Sequence, residues 1–254
     1  MCLILFALHQ QDEFPLIVIA NRDEYYARPT ETAHWWGDEP NIFAGRDLKA
    51  MGTWMGVNRS GRFAAVTNVR EPGAGTPALL SRGDLPRGFL SSNEPVDSYL
   101  ERIGSDANAY AGFNLLLGDS NGLRFYSNRQ ADTLSITPGI YGISNGKFDE
   151  HWPKLESGKA ALAEALRQGI DDESLMRILT DDAPAQDHAL PKTGVPLDIE
   201  RMLSSRFIRS PDYGTRACSV VRFSRGRQIS FVEQNFGSAG EIDIKVSEEF
   251  QIQS

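Results

Sequence analysis

The chain has 254 residues, 41% hydrophobic and 24% charged, with 26 basic against 34 acidic side chains for a formal charge of −8. That length and balance suit one large domain spanning 1–254 and disfavour nucleic acid or an anionic membrane as a partner. No run approaches about 18 apolar residues and no basic leader precedes the first apolar stretch, so neither a membrane span nor export is expected. Two cysteines, at 2 and 218, supply neither a disulfide framework nor a four-cysteine zinc site, and reduced thiols in a cytoplasm fit them best.

Four short segments, Cys2–Leu8, Pro15–Ala20, Phe113–Leu117 and Cys218–Phe223, are apolar on both alternate faces, the pattern of strands covered on both sides. His9 to Phe14 is too short for a crossover helix, so the first two strands should form an antiparallel hairpin. Further strands are expected at Thr53–Asn58, Arg62–Asn68, Leu123–Ser127, Ile140–Ser144 and Gln228–Glu233. Helical patterns occupy Ser81–Ser91, Val96–Ile103, Lys154–Gln168 and Glu173–Thr180; Pro153 opens the third, Leu155, Leu162 and Leu166 make its stripe, and Gly169 stops it. Arg70–Ala78 and Asp181–Asp198, rich in Gly and Pro, read as loops able to cover a site. Strands buried on both faces, with helices supplied by separate segments, predict an α+β fold: two mainly antiparallel sheets stacked between helical layers, a four-layer αββα sandwich.

The chemistry starts at Cys2. Removal of Met1 would put a free α-amine, with a pKa of about 7.7–8.0, on the residue that carries a thiol of about 8.5, so that base and nucleophile are one amino acid. The competing reading is an inert buried Cys at a strand start. His9 cannot serve as the base, because seven residues of strand separate it from Cys2 by roughly 23 Å and put the two on opposite faces.

Asn21-Arg22-Asp23-Glu24 ends the strand that should return beside Cys2. Arg22 there favours a thiolate and binds an anionic group, and Asp23 orients or neutralises an α-ammonium; a plain Arg–Asp closure of a strand end is the alternative. Asn68 and Asn145 both end apolar strands, where an amide N–H can meet a developing oxyanion, although Asn145 before Gly146 also reads as an ordinary turn. Arg216 enters the strand of Cys218 and is either a second anion clamp or a solvated edge residue. The four histidines have no metal-ligand spacing, and no phosphate-binding, dinucleotide or Gly-x-Ser-x-Gly motif occurs, so no metal site is expected. His34-Trp35-Trp36 either lines an apolar pocket for a flat ligand or packs. Cys218 is most simply core.

In order along the chain, Met1-Cys2, Asn21-Arg22-Asp23-Glu24, Gly52-Thr53-Trp54, Thr67-Asn68-Val69-Arg70, Ser81-Arg82-Gly83, Gly112-Phe113-Asn114-Leu115, Ser144-Asn145-Gly146 and Tyr213-Gly214-Thr215-Arg216 resemble the NRDE family, that of transport and Golgi organization protein 2, almost end to end. Where the family continues with Ser or Thr after the last Arg, this chain has Ala217-Cys218. The resemblance implies an N-terminal-nucleophile hydrolase-like fold. It is also similar to choloylglycine-hydrolase-type enzymes, which implies Cys2, Arg22, Asp23, Asn68, Asn145 and Arg216 as candidate site residues.

Two functions follow as expectations. One is hydrolysis of a linear amide or acyl bond through Cys2, with no cofactor. The other, implied by the family's association with haem trafficking and acyl-CoA or lipid metabolism, is a carrier of haem or an acyl-CoA-like ligand. A silent interaction domain finds no positive feature, and the oligomeric state is open.

Overall fold

The computed structural model describes residues 2–71, 78–130 and 133–253. Most of the loop expected over Arg70–Ala78 lies outside the described residues, as does Met1. Among the described residues thirteen strands form two antiparallel sheets. The first contains β1 (Cys2–Leu8), β2 (Leu16–Tyr25), β10 (Gly139–Ile143), β11 (Tyr213–Phe223), β12 (Gln228–Phe236) and β13 (Ile242–Gln251), in the order β10-β1-β2-β11-β12-β13. The second runs in chain order from β3 to β9: β3 (Thr30–Trp35), β4 (Ile42–Asp47), β5 (Met55–Asn58), β6 (Phe63–Asn68), β7 (Phe113–Asp119), β8 (Gly122–Ser127) and β9 (Leu134–Ser135). Helices α1 (Asp84–Ser91) and α2 (Val96–Asp106) cover the second sheet, while α3 (Pro153–Gln168) and α4 (Asp172–Leu179) cover the first; α5 (Leu197–Ser204) follows the 181–198 loop.

Three separate apolar layers make this the αββα sandwich expected. Between the sheets, Ile4, Phe6, Val18 and Phe231 meet Phe43, Val57, Phe63 and Phe125. Leu85, Phe89 and Tyr99 pack on Ala64, Leu115 and Leu117 of the second sheet, and Leu155, Leu162 and Leu175 pack on Leu3, Leu5 and Ile19 of the first. Strand β1 therefore divides its side chains by parity, even residues into the central layer and odd residues under the helices. Each fully buried side chain of this size contributes about 1.5–3 kcal/mol, and both faces contribute.

Caps and starts follow local chemistry. Pro153 stands at the first turn of α3 and Gly169 ends it at φ 135°, a backbone conformation that L side chains rarely adopt. Asp171 accepts from the Ser174 N–H at 2.9 Å to cap α4. Helix α1 starts three residues later than the apolar pattern predicts, because Ser81-Arg82-Gly83 forms a turn: Asp84 N–H donates to the Ser81 carbonyl at 3.0 Å and Gly83 N–H to Ser81 Oγ at 3.3 Å. Strands β3, β4, β9 and β13 were not expected. In β3 and β13 polar and apolar residues mix along a sheet edge, where only some side chains face a core.

Candidate functional site

The expected hairpin sets the site. Register pairs Cys2 with Arg22 across β1 and β2, and parity sends the Cys2 side chain toward the space between the sheets, at its rim. There it meets a cavity of about 230 Å³, lined also by Arg22, Asp23, Trp54, Asn68 and Arg82. The structure thus brings four of the six sequence candidates to one cavity.

Cys2 keeps some exposed surface, yet the protein around it displaces solvent from the thiol and pushes its pKa up; the charge of Asp23 acts in the same direction, while Arg22 and a hydrogen bond from the Asp23 backbone N–H work against them. A thiol so placed needs a base. Arg22 is buried, its guanidinium stacked on Trp54 at 4.2 Å and donating to Thr30 Oγ1 at 3.2 Å, and burial lowers its pKa. Trp54 in turn lies against Gly45, where a Cβ would stand 2.2 Å from the indole. Only glycine leaves room for that ring.

Asp23 is fully enclosed, and burial raises its pKa against the pull of Lys154 and of Thr215, whose Oγ1–H donates to Asp23 Oδ1 at 2.7 Å. Thr215 Oγ1 also accepts the Ile208 N–H at 2.9 Å, so the hydroxyl holds the carboxylate to the 208 turn. Lys154, at the start of α3, is 4% exposed, and burial pulls its pKa down to about 8. Its Nζ donates to the Leu203 carbonyl at 3.1 Å.

The two asparagines have different positions. Asn145 Nδ2 donates to the Asn68 carbonyl at 2.9 Å and to Asn68 Oδ1 at 3.0 Å, spending both its protons on one neighbour. With Oδ1 so engaged, the Asn68 amide is fixed and its Nδ2, without a hydrogen-bond partner among the described residues, is left for the cavity that Asn68 lines. Asn145 itself is 1% exposed and borders a neighbouring cleft instead. Asn114 keeps the pair in place: its Nδ2 lies 3.2 Å from the Ser144 carbonyl and 2.9 Å from the Gly146 carbonyl, tying the end of β10 to β6 and β7 across the two sheets.

Arg216 is not in the Cys2 cavity. It borders a smaller crevice of about 60 Å³ on the far side of the Arg22–Trp54 stack, and its Nη1 donates to the Arg28 carbonyl and, at 3.3 Å, to the same Thr30 Oγ1 that Arg22 uses. Asn21, the first residue of the tetrad, faces the helical layer and donates to the Leu179 and Arg206 carbonyls at 2.9 and 2.7 Å. His34-Trp35-Trp36 packs rather than lining a ligand pocket: Trp36 is 1% exposed with Nε1 on the Ala44 carbonyl, and Trp35 Nε1 donates to Glu248 at 2.9 Å. Cys218 is fully buried.

Sequence reasoning gave no site role to Arg82, Trp54 or Lys154. The signal for the first two was in the quoted segments, since Gly52 and Gly83 pack backbone to backbone: a Cβ on Gly52 would stand 2.4 Å from the Gly83 carbonyl carbon, and Thr53 N–H donates to the Gly83 carbonyl at 3.1 Å. The contact sets Arg82 and Trp54 on the same wall. Lys154 gave no signal, because one lysine in a first helical turn is ordinarily solvated. Among the described residues no group of His, Cys, Asp and Glu could hold a metal ion, and no helix is long and apolar enough to cross a membrane.

Two facing antiparallel sheets between helical layers, with a cysteine opening an inner strand, define an N-terminal-nucleophile hydrolase-like fold. The Caenorhabditis elegans ortholog of N-acylethanolamine-hydrolyzing acid amidase shares it, with a TM-score of 0.51 at 10% identity over 86% of this chain and 92% of that one. The chain belongs to the Transport and Golgi organisation 2 family, whose model matches residues 1–238. The Bos taurus transport and Golgi organization protein 2 homolog is 32% identical over 279 residues, spanning all of both chains, and the Homo sapiens homolog is 32% identical over 92% of this chain and 93% of that one.

Proposed function

We propose that this protein hydrolyses a linear amide or acyl bond of a small molecule, with Cys2 as nucleophile once Met1 has been removed. The observation that carries the reading is the pairing of Cys2 with a fixed Asn68 amide across one cavity. The α-amine of Cys2 takes the thiol proton, Sγ attacks the carbonyl carbon, and the oxyanion forms against Asn68 Nδ2. Collapse returns the proton to the leaving amine, alkoxide or thiolate and leaves a thioester on Cys2. Water, deprotonated by the same amine, then releases the acid. Arg22 stabilises the thiolate, Asp23 holds the α-ammonium, and Asn145 is a positioning residue for Asn68. No cofactor takes part, and two free thiols suit a reducing cytoplasm.

Intact-mass analysis of untagged protein from its native start tests the requirement, and full retention of Met1 sinks the self-contained mechanism. Cys2→Ala should abolish turnover of acyl amides and thioesters while leaving the melting curve nearly unchanged. A carrier of haem or an acyl-CoA-like ligand would instead bind it saturably with or without the thiol. His34-Trp35-Trp36, the residues offered for such a pocket, are engaged in packing, which leaves hydrolysis the better supported reading.

A further inference from the structure

The Cys2 cavity holds two guanidinium groups that no carboxylate neutralises by an ion pair among the described residues. Arg28, its third cation, is matched by Asp47 at 2.6 Å. Arg22 has Trp54 and Thr30. Arg82 donates one N–H to the Gly112 carbonyl at 3.1 Å, which moors its guanidinium beside the start of β7, and it makes no other hydrogen bond among the described residues. The cavity's carboxylates are engaged: Asp47 on Arg28, Glu24 on the Tyr25 N–H at 2.9 Å and on Arg28 at 3.9 Å, and Asp23 on Thr215. Desolvating an arginine without an acid is costly, and it is a stable arrangement where an anion arrives to complete it. Burial lowers the pKa of Arg82, and the charge of a Cys2 thiolate counts first among the influences that restore it. Arg82 and Cys2 line the same cavity.

Its placement is built into the backbone. The Gly52–Gly83 contact and the turn over Ser81–Gly83 keep Arg82 out of α1 and press it onto the cavity wall. A volume of about 230 Å³ admits a compact group and a few atoms of chain beside Cys2.

We propose that Arg82 is an anion-binding, specificity-determining residue of the Cys2 cavity, which together with Arg22 selects acyl compounds bearing a compact anionic group, carboxylate or phosphate, a few atoms from the scissile carbonyl. The inference deepens the hydrolase reading by naming its substrate class, and it rests on Cys2 marking the substrate site. Its test needs no turnover, so the two fail separately.

The probes are iodoacetate and iodoacetamide, which are matched in size, attack the same thiolate and differ in charge. The ratio of their alkylation rates at Cys2, read by mass spectrometry on the full chain, cancels any change in thiol pKa. Cys218, fully buried, does not contribute. Expected is a saturable iodoacetate reaction whose ratio exceeds that of free cysteine by about tenfold or more, the size of one charge-assisted hydrogen bond. Inorganic phosphate or acetate should slow it competitively, and whichever does so at the lower concentration identifies the anion. Arg82→Met should return the ratio most of the way to the free value, Arg82→Lys should retain part of it, and Arg216→Met, across the Trp54 wall, should leave it unchanged. A wild-type ratio at or below that of free cysteine overturns the proposal without any variant. So does an unchanged ratio in Arg82→Met.

Discussion

Asn21→Ala gives the most direct reading of how the tetrad works. Asn21 is 1% exposed, and its Nδ2 is committed to two main-chain carbonyls, Leu179 at the end of α4 and Arg206 beyond α5, at 2.9 and 2.7 Å. Removing it leaves both acceptors buried without a donor, at about 1–3 kcal/mol each, and opens a small void. Water admitted to the void recovers part of this, so a net loss of about 3 kcal/mol is expected. In a domain of this size each kcal/mol moves the melting temperature by about 2–4 °C, which makes the drop about 6–12 °C. Urea unfolding at constant m-value and a thermal melt measure it. A shift below about 2 °C would show that the amide is not holding the helical layer onto the sheet. The rate of Cys2 alkylation by iodoacetamide should stay near wild type, because Asn21 faces the helices and not the cavity.

Two other perturbations probe the surroundings. Lys154 has a folded-state pKa of about 8, lowered by burial from the ordinary 10.5, so the folded protein releases this proton first and stability should rise with pH between about 8 and 10.5; pH-resolved urea midpoints should show that rise flattened in Lys154→Met, and an identical slope would mean the ammonium is not buried in solution. Gly52→Ala puts a Cβ 2.4 Å from the Gly83 backbone, whereas Gly83→Ala meets nothing nearer than 3.3 Å, so the first should cost about 1–3 kcal/mol and erode the iodoacetate preference while the second is far milder; equal effects in melts and alkylation would refute the close approach.

The layered fold was legible because β1, β2, β7 and β11 are apolar on both faces, and only stacking between a sheet and a helix layer buries both. The hairpin argument likewise brought Arg22 and Asp23 to Cys2, since a six-residue link leaves antiparallel pairing as the sole option. What the sequence hid depends on three-dimensional choices between equivalent groups. Asn68 and Asn145 look alike along the chain, yet one borders the cavity and the other spends its amide on its neighbour. Arg216 and Arg82 are both arginines at the mouths of elements, and the stack of Arg22 on Trp54 decides which of them shares the cavity with Cys2. The edge strands β3 and β13 carry mixed patterns because only part of each faces a core.

The register of β1 also matters for anyone handling the protein. Because Cys2 pairs with Arg22 at the rim of the first sheet, an affinity tag fused ahead of Cys2 would begin at the cavity wall and, under the proposed mechanism, remove the free amine at the same stroke. The last strand, β13, lies at an edge of that sheet, four strand spacings and roughly 19 Å from β1. A tag placed after that strand leaves the thiol accessible, so it is the arrangement in which the proposed hydrolysis is to be assayed.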